Sequence, residues 1–220
     1  MTTEEIISTW NKDKVTTDLQ KAFDANSESE LLSVLKENSF LFYELFSRKY
    51  GIQPIFHEVN FGGDLRCDFT WLNDNSDGPE WVLVEIEKPR LDIFKKDNEP
   101  TQLLNHGLEQ VKSWRRYFNE NPGEKRRIFG AVARFRFILV AGDKESWSSE
   151  KAAKWRIDNN KETNIEIRSA DIFFRAINVF NNRPDELWSF AENHKTLSPS
   201  DFKNYRENYD YIKKWRQLIN

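Results

Sequence analysis

The 220-residue sequence has a single cysteine, Cys67, so no intrachain disulfide and no cysteine-based zinc site can form. Glycine (8) and proline (7) are scarce, which excludes collagen-like and low-complexity chains. Long apolar runs are missing: the longest is Phe137 to Ala141, far short of the roughly 20 residues that span a bilayer. The start of the chain has no signal-peptide pattern. The expectation is a soluble, cytoplasmic protein with no membrane partner. The sequence holds no Gly-x-Gly-x-x-Gly, no Walker motif and no internal repeat. His57, His106 and His194 form no His-x-x-x-His pair, so a zinc-protease reading has no support. Cys67 lies on an apolar strand face and reads as a core residue.

Aromatics, by contrast, are abundant: 8 Trp, 6 Tyr and 17 Phe argue for a packed core and against disorder. Charge is unevenly placed. Residues 1–100 carry 11 basic and 20 acidic groups, whereas residues 101–220 carry 22 and 16. Between Lys112 and Arg136 eight basic groups meet only Glu120 and Glu124. A local stripe of this kind can bind a polyanion although the net charge is −3, and it can equally be a solvated surface.

Periodicity predicts a helix over Ser27–Tyr50, with Leu31, Leu32, Leu35, Phe40, Leu41 and Leu45 as its apolar stripe and Gly51 as its stop. Strands are predicted over Ile52–Val59, Leu65–Leu72 and Glu80–Lys88. They are separated by Gly62-Gly63 and by the turn-rich stretch Asn73–Gly78. In the second strand Leu65, Cys67, Phe69 and Trp71 share one face, and Arg66, Asp68 and Thr70 the other. Pro89–Asn98 reads as a loop and Pro100–Phe118 as a helix. Next come a strand (Arg127–Val140), a helix (Ser148–Asn159), a strand (Ile165–Arg168), a helix (Ala170–Phe180) and a C-terminal helix (Ser198–Leu218). This order predicts an α/β (α+β) domain with a mixed central sheet flanked by helices, not a doubly wound dinucleotide fold.

The third strand ends in Glu85-Ile86-Glu87-Lys88. Glu85 and Glu87 project to one face and Lys88 to the other. Asp68, on the neighbouring hairpin strand, falls beside Glu85. Three carboxylates around one point suit a hard divalent cation such as Mg²⁺ or Mn²⁺. A solvated strand end with ordinary salt bridges to Arg66 or Arg90 would account for the same residues. On the following helix Gly107, Gln110, Trp114 and Tyr117 share a face. Gln110 there is either a hydrogen-bonding group of the site or a half-buried polar residue.

In this order, Asp68, then Glu85-Ile86-Glu87-Lys88-Pro89, then Thr101 to Val111 with Gln110, the chain resembles the PD-(D/E)xK nuclease superfamily. More narrowly it resembles the C-terminal nuclease domain of the Shedu anti-phage defence proteins. Gly62 to Phe69, Trp155 to Asn159, Ile165 to Arg168 and Ser169 to Ile172 carry the narrower likeness, which spans roughly residues 30–180. The resemblance implies a restriction-endonuclease-like core over residues 29–185, between an N-terminal helical appendage (1–28) and a C-terminal helical extension (186–220). It implies a Mg²⁺- or Mn²⁺-dependent DNA endonuclease in prokaryotic defence, acting on phage or plasmid DNA as a homo-oligomer. Asp68 and Glu85 match the metal-holding pair, and Gln110 matches a glutamine of the packing helix. Glu44 is matched to a further acidic position. Glu87 stands where the superfamily usually has its lysine. The third ligand or base is therefore Glu87, or Lys88 takes the lysine's part through a bulge. Lys112, Arg115, Arg116, Arg126, Arg134 and Arg136 are the expected DNA contacts. The alternative is a catalytically inactive nuclease-like module for DNA or protein binding or oligomerisation.

Overall fold

The computed structural model describes residues 3–97 and 99–219. Residues 1, 2, 98 and 220, assigned above to the N-terminal appendage, the loop before the long helix and the C-terminal extension, lie outside the described residues. Among the described residues five strands form one sheet in the order β1 (Phe56–Gly62), β2 (Leu65–Asn75), β3 (Gly78–Ile86), β4 (Arg134–Val140) and β5 (Ile165–Arg168). The first three are antiparallel, and β3, β4 and β5 are parallel. The sheet is thus mixed and the class α+β, as the element order predicts.

The helices are α1 (Thr3–Ser8), α2 (Lys12–Asp24), α3 (Glu28–Glu37), α4 (Gln102–Glu120), α5 (Pro122–Phe129), α6 (Glu150–Thr163), α7 (Ile172–Asn182), α8 (Pro199–Asn208) and α9 (Asp210–Leu218). Strand alternation divides the core into two layers. Val82, Val84 and Ile86 of β3 face a layer built with α2, α3 and α7. Trp81 and Leu83 face the layer of α4, where Leu104, Leu108, Val111, Trp114 and Phe118 form the buried stripe. Both layers combine aliphatic and aromatic side chains, and burying a Phe or Leu side chain stabilises by about 1.5–3 kcal/mol. The segments set apart as appendage and extension join these layers. Leu19 and Phe23 of α2 enter the first, and Phe202 and Ile212 enter the second.

Several elements depart from the periodicity, and the strand expected over Ile52–Val59 forms instead over Phe56–Gly62. The expected Ser27–Tyr50 helix stops at Glu37, because Asn38 leaves helical geometry and its side chain turns back to Val34 O (2.8 Å). A 3₁₀ segment, Ser39–Leu45, follows and is buried on almost every side. The expected strand Arg127–Val140 begins only at Arg134. Pro122 starts α5 ahead of it, and Gly130, at φ +80°, ends that helix. The C-terminal helix breaks at Tyr209 into α8 and α9.

Candidate active site

The acidic residues meet where the parallel strands β3 and β4 end. Glu85 lies opposite Leu139 in register, and the Glu87 N–H donates to Val140 O (2.8 Å), which extends the ladder one step past β3. Glu85 follows Trp81 and Leu83 on the α4 face. Glu87 continues to the same side, where its side chain lies against Gly107 of α4. A methyl group at Gly107 would stand 2.8 Å from Glu87 Oε1 and 2.9 Å from its Cγ. Glycine is therefore what lets the helix backbone close over this carboxylate.

Asp68 reaches the same place by a different route. Cys67 packs in the α4 layer, but Phe69, two residues on, packs in the opposite layer. The strict alternation expected across Leu65–Leu72 thus fails at Asp68. Its neighbour on β1 is Glu58, held at φ +51°, and the ladder pairs His57 with Phe69 and Val59 with Cys67 on either side. Freed from regular pairing, the Asp68 carboxylate accepts the Ile86 N–H through Oδ2 (2.8 Å) and so fixes itself to the end of β3.

These are not solvated groups. Asp68, Glu85 and Glu87 are 8%, 5% and 6% exposed. The arginines of the salt-bridge reading point elsewhere. Arg66 pairs with Glu58 (3.6 Å), and Arg90 pairs with Asp24 and Asp143 (3.4 Å each). Glu87 has only His106 Nδ1 at 3.6 Å, on an exposed imidazole. Glu85 Oε2 is buried with no hydrogen-bond partner. Burial pushes the Asp68 carboxyl up to about 7. Burial, then the charges of Asp68 and Glu87, push Glu85 well above the carboxylate range. Glu87 is raised by burial and by Glu28, with His106 opposing. An unpaired carboxylate in such a place must take a proton or a cation.

Glu28 is a residue that sequence reading missed. It opens α3 behind the cap Ser27, and its charge acts on all three carboxylates. An acid in the first turn of a helix ordinarily needs no other explanation than the helix dipole, and nothing in its spacing links it to Asp68. Glu44, the acid matched on that segment, instead pairs with Arg175 (3.8 Å).

Asp68 and Glu85 fit a hard cation by their chemistry, since one oxygen is orphaned and the other carboxylate is anchored by a backbone donor. The three-way convergence is looser than expected. Among the described residues no group of three His, Cys, Asp or Glu side chains is arranged to hold a metal ion. Lys88 is half-buried, and its charge acts weakly on Glu87. Its carbonyl accepts the Gly142 N–H (3.1 Å). Gln110 is half-buried one turn beyond Gly107, and its carbonyl accepts the Ser113 hydroxyl.

The expected DNA contacts are scattered. Lys112 and Arg116 pair with Glu109 (2.9 and 3.3 Å). Arg115 donates to Thr163 O. Arg136 is tied to Glu166 and Leu45 O. Arg134 bonds Asp77 and Glu80 (2.8 Å each) at the opposite end of the sheet. Glu80 is five register steps from Glu85, about 16 Å at 3.3 Å per residue. Only Arg126 lines an open surface basin.

A family model described as "Shedu protein SduA, C-terminal" matches residues 25–173. The chain belongs to the Shedu SduA C-terminal family. The match takes in Glu28, Asp68, Glu85, Glu87 and Gln110 together. No curated protein matches. Among solved structures the chain is similar to the restriction endonuclease FokI, at 14% identity and a TM-score of 0.40, over 88% of this chain. It spans 29% of that protein's length. No helix among the described residues is long and apolar enough to cross a membrane.

Proposed function

We propose that this protein is a divalent-metal-dependent DNA endonuclease of an anti-phage defence system. The observation that carries the reading is the pair Asp68–Glu85, buried at the end of a central strand, with one carboxylate oxygen of Glu85 unpartnered. Membership of the SduA C-terminal family supports the same reading.

Asp68 and Glu85 would hold the ion, with Mg²⁺ or Mn²⁺ as the cations suited to oxygen ligands. When bound, such an ion lowers the pKa of water and offsets charge on a phosphate. The remaining steps fall to the chain. The Ile86 N–H keeps Asp68 oriented. Glu87, raised by burial and Glu28 and on the Glu85 side of the strand, would take a proton from the attacking water. Gln110, on the same face of α4 as Gly107, can orient the water or a phosphate oxygen. The Lys88 charge acts only weakly on Glu87, so Glu87 takes the lysine's part in this reading.

Plasmid cleavage in Mg²⁺ and Mn²⁺, against a chelator control, tests this. Glu85→Gln keeps the volume and removes the charge, and is expected to lower cleavage at least about 100-fold, a loss of roughly 2.7 kcal/mol of transition-state stabilisation. Cutting at the parental rate by a folded Glu85→Gln protein would reject the assignment. That no group of three His, Cys, Asp or Glu side chains among the described residues is arranged to hold a metal ion favours, as second reading, a module that binds DNA without cutting it. That reading is chosen if the parent protein binds DNA but neither metal supports cleavage.

A further inference from the structure

Beside the edge strand β5 lies a recess of about 770 Å³, lined by residues of β5, of the loop after β4, of α6 and of the start of α7. An edge strand ordinarily invites pairing with another chain. Here its donors are already taken: the Ile165 N–H donates to Thr163 Oγ1 (3.3 Å) and the Ile167 N–H to Asn160 Oδ1 (3.1 Å). What the recess can bind is therefore set by its side chains.

Arg156 of α6 is the decisive one. Its guanidinium lies over the Trp147 ring, 5.0 Å from the centroid, and Trp147 stacks in turn on Trp155 (6.3 Å). Arg156 is half-buried, and among the described residues it makes no ion pair and no hydrogen bond. The charge that acts on it is another cation. Burial first, and then Arg168, pull the Arg156 guanidinium below its usual range. The acids of the recess are already engaged. Glu166 accepts from Arg136 (2.5 Å) and lies 3.4 Å from Arg168 Nε, an atom that is itself buried with no hydrogen-bond partner. Asp171 accepts the Ser169 hydroxyl (2.6 Å) and the Lys144 N–H. Arg175, which is exposed, pairs with Glu44 (3.8 Å).

A half-buried guanidinium with idle donors and a cation beside it is unfavourable unless an anion completes the set. The planar fork of Arg suits phosphate oxygens. Trp147, Ile157 and Ile172 give the recess an apolar part, and Ser148 and Asn160 add polar groups. That mixture, and the volume, match small-molecule sites, which run to about 300–1,000 Å³. Arg168 is in register with Val140 and Ile86. The recess thus lies at the sheet end that carries the carboxylates, two strands away, or about 10 Å at 4.8 Å per strand. A DNA strand at those carboxylates is the competing source of a phosphoryl group. The half-buried setting of Arg156 against Trp147 favours a small ligand that enters the recess over a polymer that passes its mouth. We propose that this recess binds a phosphorylated small molecule of nucleotide size, with its phosphoryl group held between Arg156 and Arg168.

The test is isothermal titration calorimetry of the full chain with ATP and, separately, with inorganic pyrophosphate, in chelator so that no bound metal contributes. ATP is expected to bind one per chain, and pyrophosphate more weakly because it leaves the apolar part empty. Arg156→Gln keeps Trp147 covered by a neutral group and is expected to weaken ATP binding at least about tenfold. Arg156→Lys keeps the charge without the fork and should fall between the two. Ile157 is 54% exposed. Ile157→Glu therefore adds a carboxylate to the lining without disturbing a buried contact, and it should weaken ATP binding as well. Absence of binding by both probes would overturn the proposal, as would parental affinity in folded Arg156→Gln and Ile157→Glu proteins. The last arm is competition by single-stranded DNA of about 20 nucleotides, longer than a typical strand-binding site. Retention of ATP against the strand at equal phosphate concentration supports the small ligand. Displacement of ATP would overturn it, by assigning the phosphoryl group to the nucleic-acid backbone. Cleavage enters none of these readouts, so this proposal and the nuclease reading stand or fall separately.

Discussion

Gly107 and Glu87 occupy the same small volume, and this contact decides how the site is set. A methyl group at 107 would also stand 3.0 Å from Leu139 Cδ1, so neither neighbour can yield freely. In an open helix, Gly→Ala gains about 1 kcal/mol from propensity, whereas overpacking a core costs about 1–3 kcal/mol. Gly107→Ala is therefore expected to destabilise by roughly 1 kcal/mol in urea unfolding. In a Glu87→Ala background the same change should stabilise, because the carboxylate has gone. A double-mutant cycle with no coupling between 107 and 87 would mean that the contact does not constrain Glu87. At this scale, part of the site was legible in the sequence. Period two put Glu85 and Glu87 on one side, and hairpin spacing put Asp68 beside them. Glu28 was not legible, since its proximity depends on how α3 packs across the sheet end and on no local pattern.

Elements that carry strong periodic patterns matched their sequence signals: β3, α4, β5 and α7 lie, within about two residues at their ends, where alternation and the helical stripe put them. The misses have local causes. Over Ser39–Leu45 a continuous apolar run hides a 3₁₀ segment, because a stretch buried on all sides has no period to read. At Arg126–Ala133 the apolar residues of α5 and its exit run into β4, and only Gly130 marks the break. On β2 the reversal at Asp68 lies opposite the positive φ of Glu58 on another strand, which a single-strand pattern cannot reveal. The start of α3 also has functional weight. Ser27 accepts the Glu30 N–H (3.2 Å) and thereby fixes the first turn that presents Glu28. Ser27→Ala is expected to cost about 1 kcal/mol, the usual value of a lost cap. It should also slow cleavage, since the Glu28 charge that this turn presents acts on all three carboxylates. A Ser27→Ala protein with parental stability would show that the cap is not what holds this turn.

For the molecule as a whole, the buried carboxylates link folding to pH and to cations. The folded chain keeps a proton on Asp68 up to about pH 7, whereas an ordinary aspartate loses its proton near 3.8. Between these values the unfolded chain binds fewer protons than the folded one, so stability is full below about pH 4 and falls as pH rises towards 7. At about 1.4 kcal/mol per unit, the loss is on the order of 4 kcal/mol. Carboxylates held below their usual range, such as Glu58 beside Lys36, act in the opposite direction at the acid end. The comparison must therefore be made against Asp68→Asn in the same buffers. That variant keeps an oxygen for the Ile86 N–H and cannot ionise. In chelator its unfolding free energy is expected to exceed the parent's at pH 7.5, and the two should converge near pH 4. Mn²⁺ or Mg²⁺ supplies the missing positive charge by another route and should raise the parent's melting temperature at pH 7.5, in proportion to the logarithm of its concentration above the dissociation constant. Asp68→Asn should lose that rise. Parallel pH curves for the two proteins, together with equal responses to the cation, would mean that the buried acids are neither proton-linked nor a cation site, and the endonuclease assignment would lose its physical basis.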